Sequence, residues 1–303
     1  MNITPSTATL GATVTGVRLD ALPNREWRAI EDAFHEYAVL VFAGANLTEA
    51  EHIDFSQRFG PLERTLSQRT DRQEISLLSN VAKDGEIAKP DDNLGLFLKG
   101  NRYWHTDSSF KKVGAKVSLL RAAEVPDSGG DTEWADMRAA WDALDPHTQR
   151  RLEGLVAVHS YAYSQGKVGG IALLNQRERD ALPPVRQPVV RVHPATGRKN
   201  LYVGRHASHI IGMPVEEGRA LLARLTEDAC QAPRVFRHHW RAGDIVAWDN
   251  RCVLHRGHPW PFDQPRVMKR TTVAGEGDNP WTIENPPAMV DGAAHSPPVI
   301  RPS

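Results

Sequence analysis

The sequence predicts a mainly β domain with peripheral helices, most simply a jelly roll of two packed sheets, and two observations carry that expectation. Short runs rich in Val, Ile, Leu and aromatic residues recur along most of the chain, punctuated by Gly- or Pro-containing turns. The helical patterns lying between them are too few for a doubly wound parallel sheet.

Taken in order, Trp27, Ile30, Phe34 and Tyr37 recur at helical spacing after Pro23-Asn24, and a continuous apolar run follows over 38–42. That predicts a helix and then a buried strand. Thr48 with Glu51 three residues on is a capping-box signature closed by Gly60-Pro61, so 49–59 is expected to be helical. From Glu63 to Arg102 the composition turns polar, with one strand expected over 75–81 and a long connection after it. Strands are then expected over 103–107, 117–125, 155–163, 189–193, 201–204, 235–240, 245–248, 252–255 and 267–273. Helices are expected over 136–144, 146–153 and 214–229, the last with Gly218, Leu221, Leu222, Leu225 and Ala229 on one face. From Gly275 onward Pro280, Pro286, Pro287, Pro297, Pro298 and Pro302 replace periodic apolar positions. A domain over 1–274 followed by a Pro-rich tail over 275–303 is the expected organisation.

The 303 residues balance 37 Lys and Arg against 37 Asp and Glu, which argues against a general polyanion partner and so against nucleic acid. The densest basic stretch, 234–241, is interrupted by Val235, Phe236 and Trp240 and reads as a strand with one solvated face. Cys230 and Cys252 lie outside any CxxC spacing, leaving no thiolate zinc site or disulfide framework and fitting a reducing cytosol. No basic segment followed by an apolar one opens the chain, and the longest apolar run, 38–43, is too short to span a bilayer. A cytoplasmic protein without a membrane partner is expected.

Two His-x-Asp triplets stand out as metal-ligand candidates. His52 and Asp54 fall in the expected capped helix, where positions i and i+2 diverge and cannot close on one ion. His105 and Asp107 fall in a strand-like segment, where a period of two puts both on one face. The third ligand is best supplied by His255, at the end of a strand, Asp249-Asn250 turn, strand pattern that reads as a hairpin. Two His and one carboxylate leave open positions suited to non-haem Fe(II) chemistry, and they also suit zinc with a bound water. Rival pairs exist in His206 with His209 and in His255 with His258, neither carrying the Glu of an HExxH motif. Arg266 and Arg270 share a face of the strand expected over 267–273, and two inward guanidinium groups need anions.

These residues sit within segments that resemble the taurine dioxygenase and 2,4-dichlorophenoxyacetate dioxygenase group of Fe(II)/2-oxoglutarate oxygenases over most of 1–274. The carriers are LGATVTGVRL, FSQRFGPLE, NRYWHTDSSF, VPDSGGDTEWADMRAAWDAL, GRHASHIIGMPVEEGRALL and WRAGDIVAWDNRCVLHRG, followed by Arg266 and Arg270. Within the group the chain looks closest to aryloxyalkanoate dioxygenases, including the (S)-phenoxypropionate type.

The resemblance implies a double-stranded β-helix, with His105, Asp107 and His255 as iron ligands and Arg266 and Thr132 holding the distal carboxylate of 2-oxoglutarate. It implies oxidation by O2 of the ether-bearing carbon of a small anionic aromatic substrate, giving a phenol and a 2-oxo acid with succinate and carbon dioxide. The same cofactors acting on an alkyl sulfonate, a sulfate ester or another carboxylate are the alternative. A zinc hydrolase or a non-catalytic jelly-roll binding protein would use the same triad without a clamp on a dicarboxylate. Arg270 is the candidate for the substrate carboxylate, Asn101 is the family position beside iron, and His206 and His209 are candidates to line the pocket. Two segments, 83–102 and 164–172, look like lids. The family often self-associates, so a homo-oligomer is expected.

Overall fold

The computed structural model describes residues 1–65, 72–170 and 176–277. The chain opens with β1 (Asn2–Pro5), β2 (Ala12–Thr15), α1 (Asn24–Tyr37), β3 (Val39–Phe42) and α2 (Glu49–Gln57). There follow β4 (Ser76–Ser79), α3 (Asn93–Gly100), β5 (Val117–Glu124), β6 (Thr132–Asp136), α4 (Met137–Asp142) and α5 (Pro146–Leu152). The next stretch holds β7 (Val156–His159), α6 (Tyr161–Gly166), α7 (Gln176–Ala181), β8 (Val185–Pro188), β9 (Val190–Val192), β10 (Lys199–Leu201) and β11 (Ala207–Ile210). The described chain finishes with α8 (Val215–Ala229), β12 (Val235–His238), β13 (Ile245–Asp249), β14 (Val253–Gly257) and β15 (Val267–Val273).

A seven-stranded sheet runs β1-β2-β3-β13-β5-β15-β4, antiparallel except where β2 meets β3. A three-stranded sheet, β12-β6-β14, packs on its inner face. Side-chain alternation sorts each strand between layers, as the two-residue period requires. Val39, Val41, Leu120, Ala122, Val246, Trp248 and Met268 of the large sheet meet Trp134 and Val253 of the small one. The alternate residues, among them Leu40, Phe42, Leu119, Ile245 and Ala247, turn outward against Ile30 and Phe34 of α1 and Phe55 of α2. Behind the small sheet, Ala135 and Leu254 pack on α4 and on Leu221, Leu222 and Leu225 of α8. Each Val, Leu, Ile, Phe or Met among them contributes about 1.5–3 kcal/mol on burial, and together these layers realise the expected double-stranded jelly roll with helices outside it.

Several expected elements form where the sequence places them. α2 carries the full capping box, with Glu51 N–H donating to Thr48 Oγ1 and Thr48 N–H to Glu51 Oε2. The five residues assigned to one face of α8 are all buried. Among the described residues, no helix is long and apolar enough to cross a membrane. All but three residues of the Pro-rich tail, and residues 171–172 of the second lid, lie outside the described residues.

Other expectations need correction. Residues 103–107 are not a strand: His105 alone bridges His255, and the chain then turns through Ser108 at φ +55°. Turn-forming Asp107, Ser108 and Ser109 interrupt the ladder. β13 and β14 are not a hairpin, because β13 pairs with β3 and β5 while β14 pairs with β6, so the intervening turn carries the chain between sheets. The strand expected over 155–163 stops at His159, where Ser160 caps α6 through its hydroxyl. The connection after Lys83 contains α3, whose two glycines mask its pattern and whose start is fixed by Asp92 accepting from the Leu94 and Gly95 amides.

Candidate active site

The turn and the bridge together assemble the triad. His105 and His255 exchange backbone hydrogen bonds, His105 N–H to His255 O at 3.0 Å and His255 N–H to His105 O at 2.7 Å, which brings their rings within 4.1 Å. Period two turns His255 inward from β14, and the turn after His105 brings Asp107 back beside both. One ligand atom from each of the three buried residues lies within 4.8 Å of the others.

The charge states suit a divalent cation, which needs neutral imidazoles and an ionised carboxylate. His105 Nδ1 lies 2.7 Å from the Tyr103 carbonyl. A carbonyl only accepts, so the proton sits on Nδ1 and Nε2 presents its lone pair. Burial holds the His105 pKa well below the ordinary range and lowers that of His255 to about 4. Burial of Asp107 opposes its charge, but Arg270 and the neighbouring imidazoles keep it far below the usual carboxylate range. Asp107 Oδ1 accepts from Arg270 Nη1 at 2.6 Å and Oδ2 from Ser118 Oγ at 2.7 Å. His255 Nε2 and Asp107 Oδ2 stand 3.8 Å apart, too far for a hydrogen bond and wide enough to admit a cation between them. The donor set therefore fits a metal.

A cavity beside the triad is lined by Asn101, Thr132, Trp248, Arg266 and Arg270 as well as His105 and His255. Arg266 is buried, and burial lowers its pKa to about 10. Its Nε and Nη2 donate to the Gly130 carbonyl, and its backbone N–H donates to Asn80 Oδ1. Gly129 and Gly130 both hold positive φ, and a Cβ on Gly130 would lie 2.9 Å from Arg266 Nε. Thr132 Oγ1 accepts from Trp240 Nε1, which leaves the threonine proton for another acceptor. Gly130 and Asn80 thus hold Arg266 in place; the Gly pair lies within the VPDSGGDTEW segment that carries the resemblance, whereas Asn80 gave no sequence signal.

The other candidates divide. Asn101 caps the end of α3, and its carbonyl accepts from the Gly257 amide. His206 is buried, with its ring 6.1 Å from His105 and 4.8 Å from Phe110, and its Nδ1 has no partner among the described residues. His209 is half-buried, held by Ser208 Oγ, and outside the cavity wall. Arg205, which sequence reasoning passed over, is buried and donates to the carbonyls of Gly100 and Ser164, joining the two lid segments. His258 contacts Glu133 and adds no ligand to the triad, while His52 contacts Thr271 in the outer layer. A second cluster, His193, Asp249 and Cys252, is a structural ion pair: Asp249 is already held by His193 Nε2 and bidentately by Arg251.

The family model described as Taurine catabolism dioxygenase TauD, TfdA family matches residues 2–272. The (S)-phenoxypropionate/alpha-ketoglutarate-dioxygenase of Sphingobium herbicidovorans is 44% identical over 283 residues, covering 91% of this chain and 95% of that protein. The alpha-ketoglutarate-dependent 2,4-dichlorophenoxyacetate dioxygenase of Cupriavidus pinatubonensis is 46% identical over 260 residues, covering 84% and 90%. The crystal structure of AAD-2 in complex with Mn(II) and N-oxalylglycine superposes with a TM-score of 0.86 at 40% identity, covering 94% of this chain and all of that one. With a two-His, one-carboxylate triad inside a jelly roll and a match across nearly the whole described chain, the protein belongs to the TauD, TfdA dioxygenase family.

Proposed function

We propose that the protein is an Fe(II)- and 2-oxoglutarate-dependent dioxygenase that hydroxylates the ether-bearing carbon of an aryloxyalkanoate of the phenoxyacetate or phenoxypropionate type. The observation that carries this reading is the pairing of the triad with Arg266, a buried cation whose side chain donates to the Gly130 carbonyl and to no carboxylate among the described residues. A hydrolase has no use for such a group, whereas a dicarboxylate cosubstrate supplies its missing anion.

His105, Asp107 and His255 would hold the iron, which with 2-oxoglutarate and dioxygen supplies the oxidant for C–H hydroxylation. Arg266 binds the distal carboxylate, and the Thr132 hydroxyl donates a further hydrogen bond to it. Trp248 and Leu120 on the inner faces of β13 and β5 line the same cavity and shield it from water. Arg270, at the border of cavity and triad, is the residue proposed for the substrate anion, with Asn101 on the cavity wall; His206, whose ring lies 6.1 Å from that of His105, and His209 stand outside the lining and are proposed only as more distant contributors. Hydroxylation at the ether carbon gives a hemiacetal or hemiketal that collapses to a phenol and a 2-oxo acid. The similarity to an (S)-phenoxypropionate dioxygenase and a 2,4-dichlorophenoxyacetate dioxygenase supports this substrate class.

The test supplies Fe(II), 2-oxoglutarate and dioxygen with aryloxyacetate, each enantiomer of a 2-aryloxypropionate, and taurine in separate reactions. Phenol released in step with succinate from an aryloxyalkanoate is the expected result. Succinate coupled to taurine alone would transfer the assignment to sulfonates, and no succinate under any condition would overturn it.

A further inference from the structure

We infer that Ser118 and Asn250 form a positioning relay that fixes the Asp107 carboxylate for metal binding, an inference that rests on the metal reading of the triad. Both residues are buried. Asn250 Oδ1 accepts from Trp248 Nε1 at 3.0 Å and from the Asp107 backbone N–H at 3.2 Å. Indole and peptide N–H groups only donate, so the side-chain amide cannot be flipped. Its Nδ2 must therefore face Ser118, to whose Oγ it donates at 2.9 Å.

Because the Ser118 oxygen accepts there, its single proton is committed to Asp107 Oδ2, 2.7 Å away. The direction of every bond is settled by groups that have no alternative. Ser118 reaches this place because it lies on the inner face of β5, opposite Trp248 in register. The Trp248 ring in turn packs 4.7 Å from the His255 ring. One closed circuit thus runs from one ligand to another: His255 ring, Trp248, Asn250, Ser118, Asp107. Removing its hydroxyl frees the carboxylate to follow Arg270, its remaining partner on Oδ1. Outer partners of metal ligands typically govern affinity by ten- to a hundredfold.

The experiment titrates Mn(II) into the full chain by electron paramagnetic resonance and records the visible spectrum of the Co(II)-loaded protein. In Ser118→Ala the Mn(II) dissociation constant is expected to rise about tenfold or more, with a shifted Co(II) spectrum. A purely structural role would lower the thermal midpoint of the metal-free protein and leave both metal readouts unmoved, which overturns the relay. Ser118→Cys, a weaker donor of similar shape, is expected to give an intermediate constant. It decides the matter if the alanine variant does not fold, since a parental constant would then refute the relay. Failure of the parent itself to bind Mn(II) stoichiometrically would instead remove the metal reading on which the relay rests.

Discussion

Gly130 shows how a residue without a side chain shapes a binding site. Its carbonyl takes two donors of Arg266, and the space where a Cβ would stand is where the guanidinium passes. Gly130→Ala should therefore raise the KM for 2-oxoglutarate about tenfold, equivalent to roughly 1.4 kcal/mol, while leaving Mn(II) affinity unchanged. Steady-state kinetics beside a metal titration check both halves. Arg266 itself was legible from its alternation with Arg270, because inward arginines on a strand need anions. Asn80, which holds the Arg266 backbone, was not, since a buried amide pinning a distant loop leaves no pattern in the local sequence. His105 and Asp107 were identified correctly as neighbours but for the wrong local reason, since a turn rather than a pleat joins them.

At the level of elements, what the sequence revealed was periodicity within segments, and what it concealed was pairing between them. The helix over α8 and the capped α2 were readable because their signals lie within a few residues. The passage from β13 to β14 looked like a hairpin because the local pattern of strand, turn and strand is the same whether the strands pair or part. Arg205 is the clearest long-range case, one side chain tying the end of α3 to α6. Arg205→Met should release both segments, so limited proteolysis is expected to cut within 83–102 and 161–170 several times faster than in the parent. Equal cleavage rates would show that the segments are held by other contacts.

For the whole molecule, buried imidazoles tie stability to pH. Burial lowers the pKa of His52 to about 4 and of His159 to about 3. Folded values below the unfolded value mean that the unfolded chain binds more protons, so this stability is intact above about pH 6.5 and is lost as pH falls toward 4. Each such histidine contributes a slope of about 1.4 kcal/mol per pH unit within that window. Urea unfolding of the metal-free protein at several pH values should show this decline, and His52→Gln should reduce the slope by about one proton. A second linkage is set by the charges that meet beside the triad. Asp107 offsets Arg270, to which it is hydrogen-bonded, and not Arg266, so these three residues beside the cavity carry one net positive charge between them. A divalent cation alone would triple the imbalance and a dicarboxylate alone would invert it, whereas the two together restore the starting value. On the proposed reading, metal and cosubstrate are expected to be reciprocal effectors, each raising the affinity of the other by the same factor.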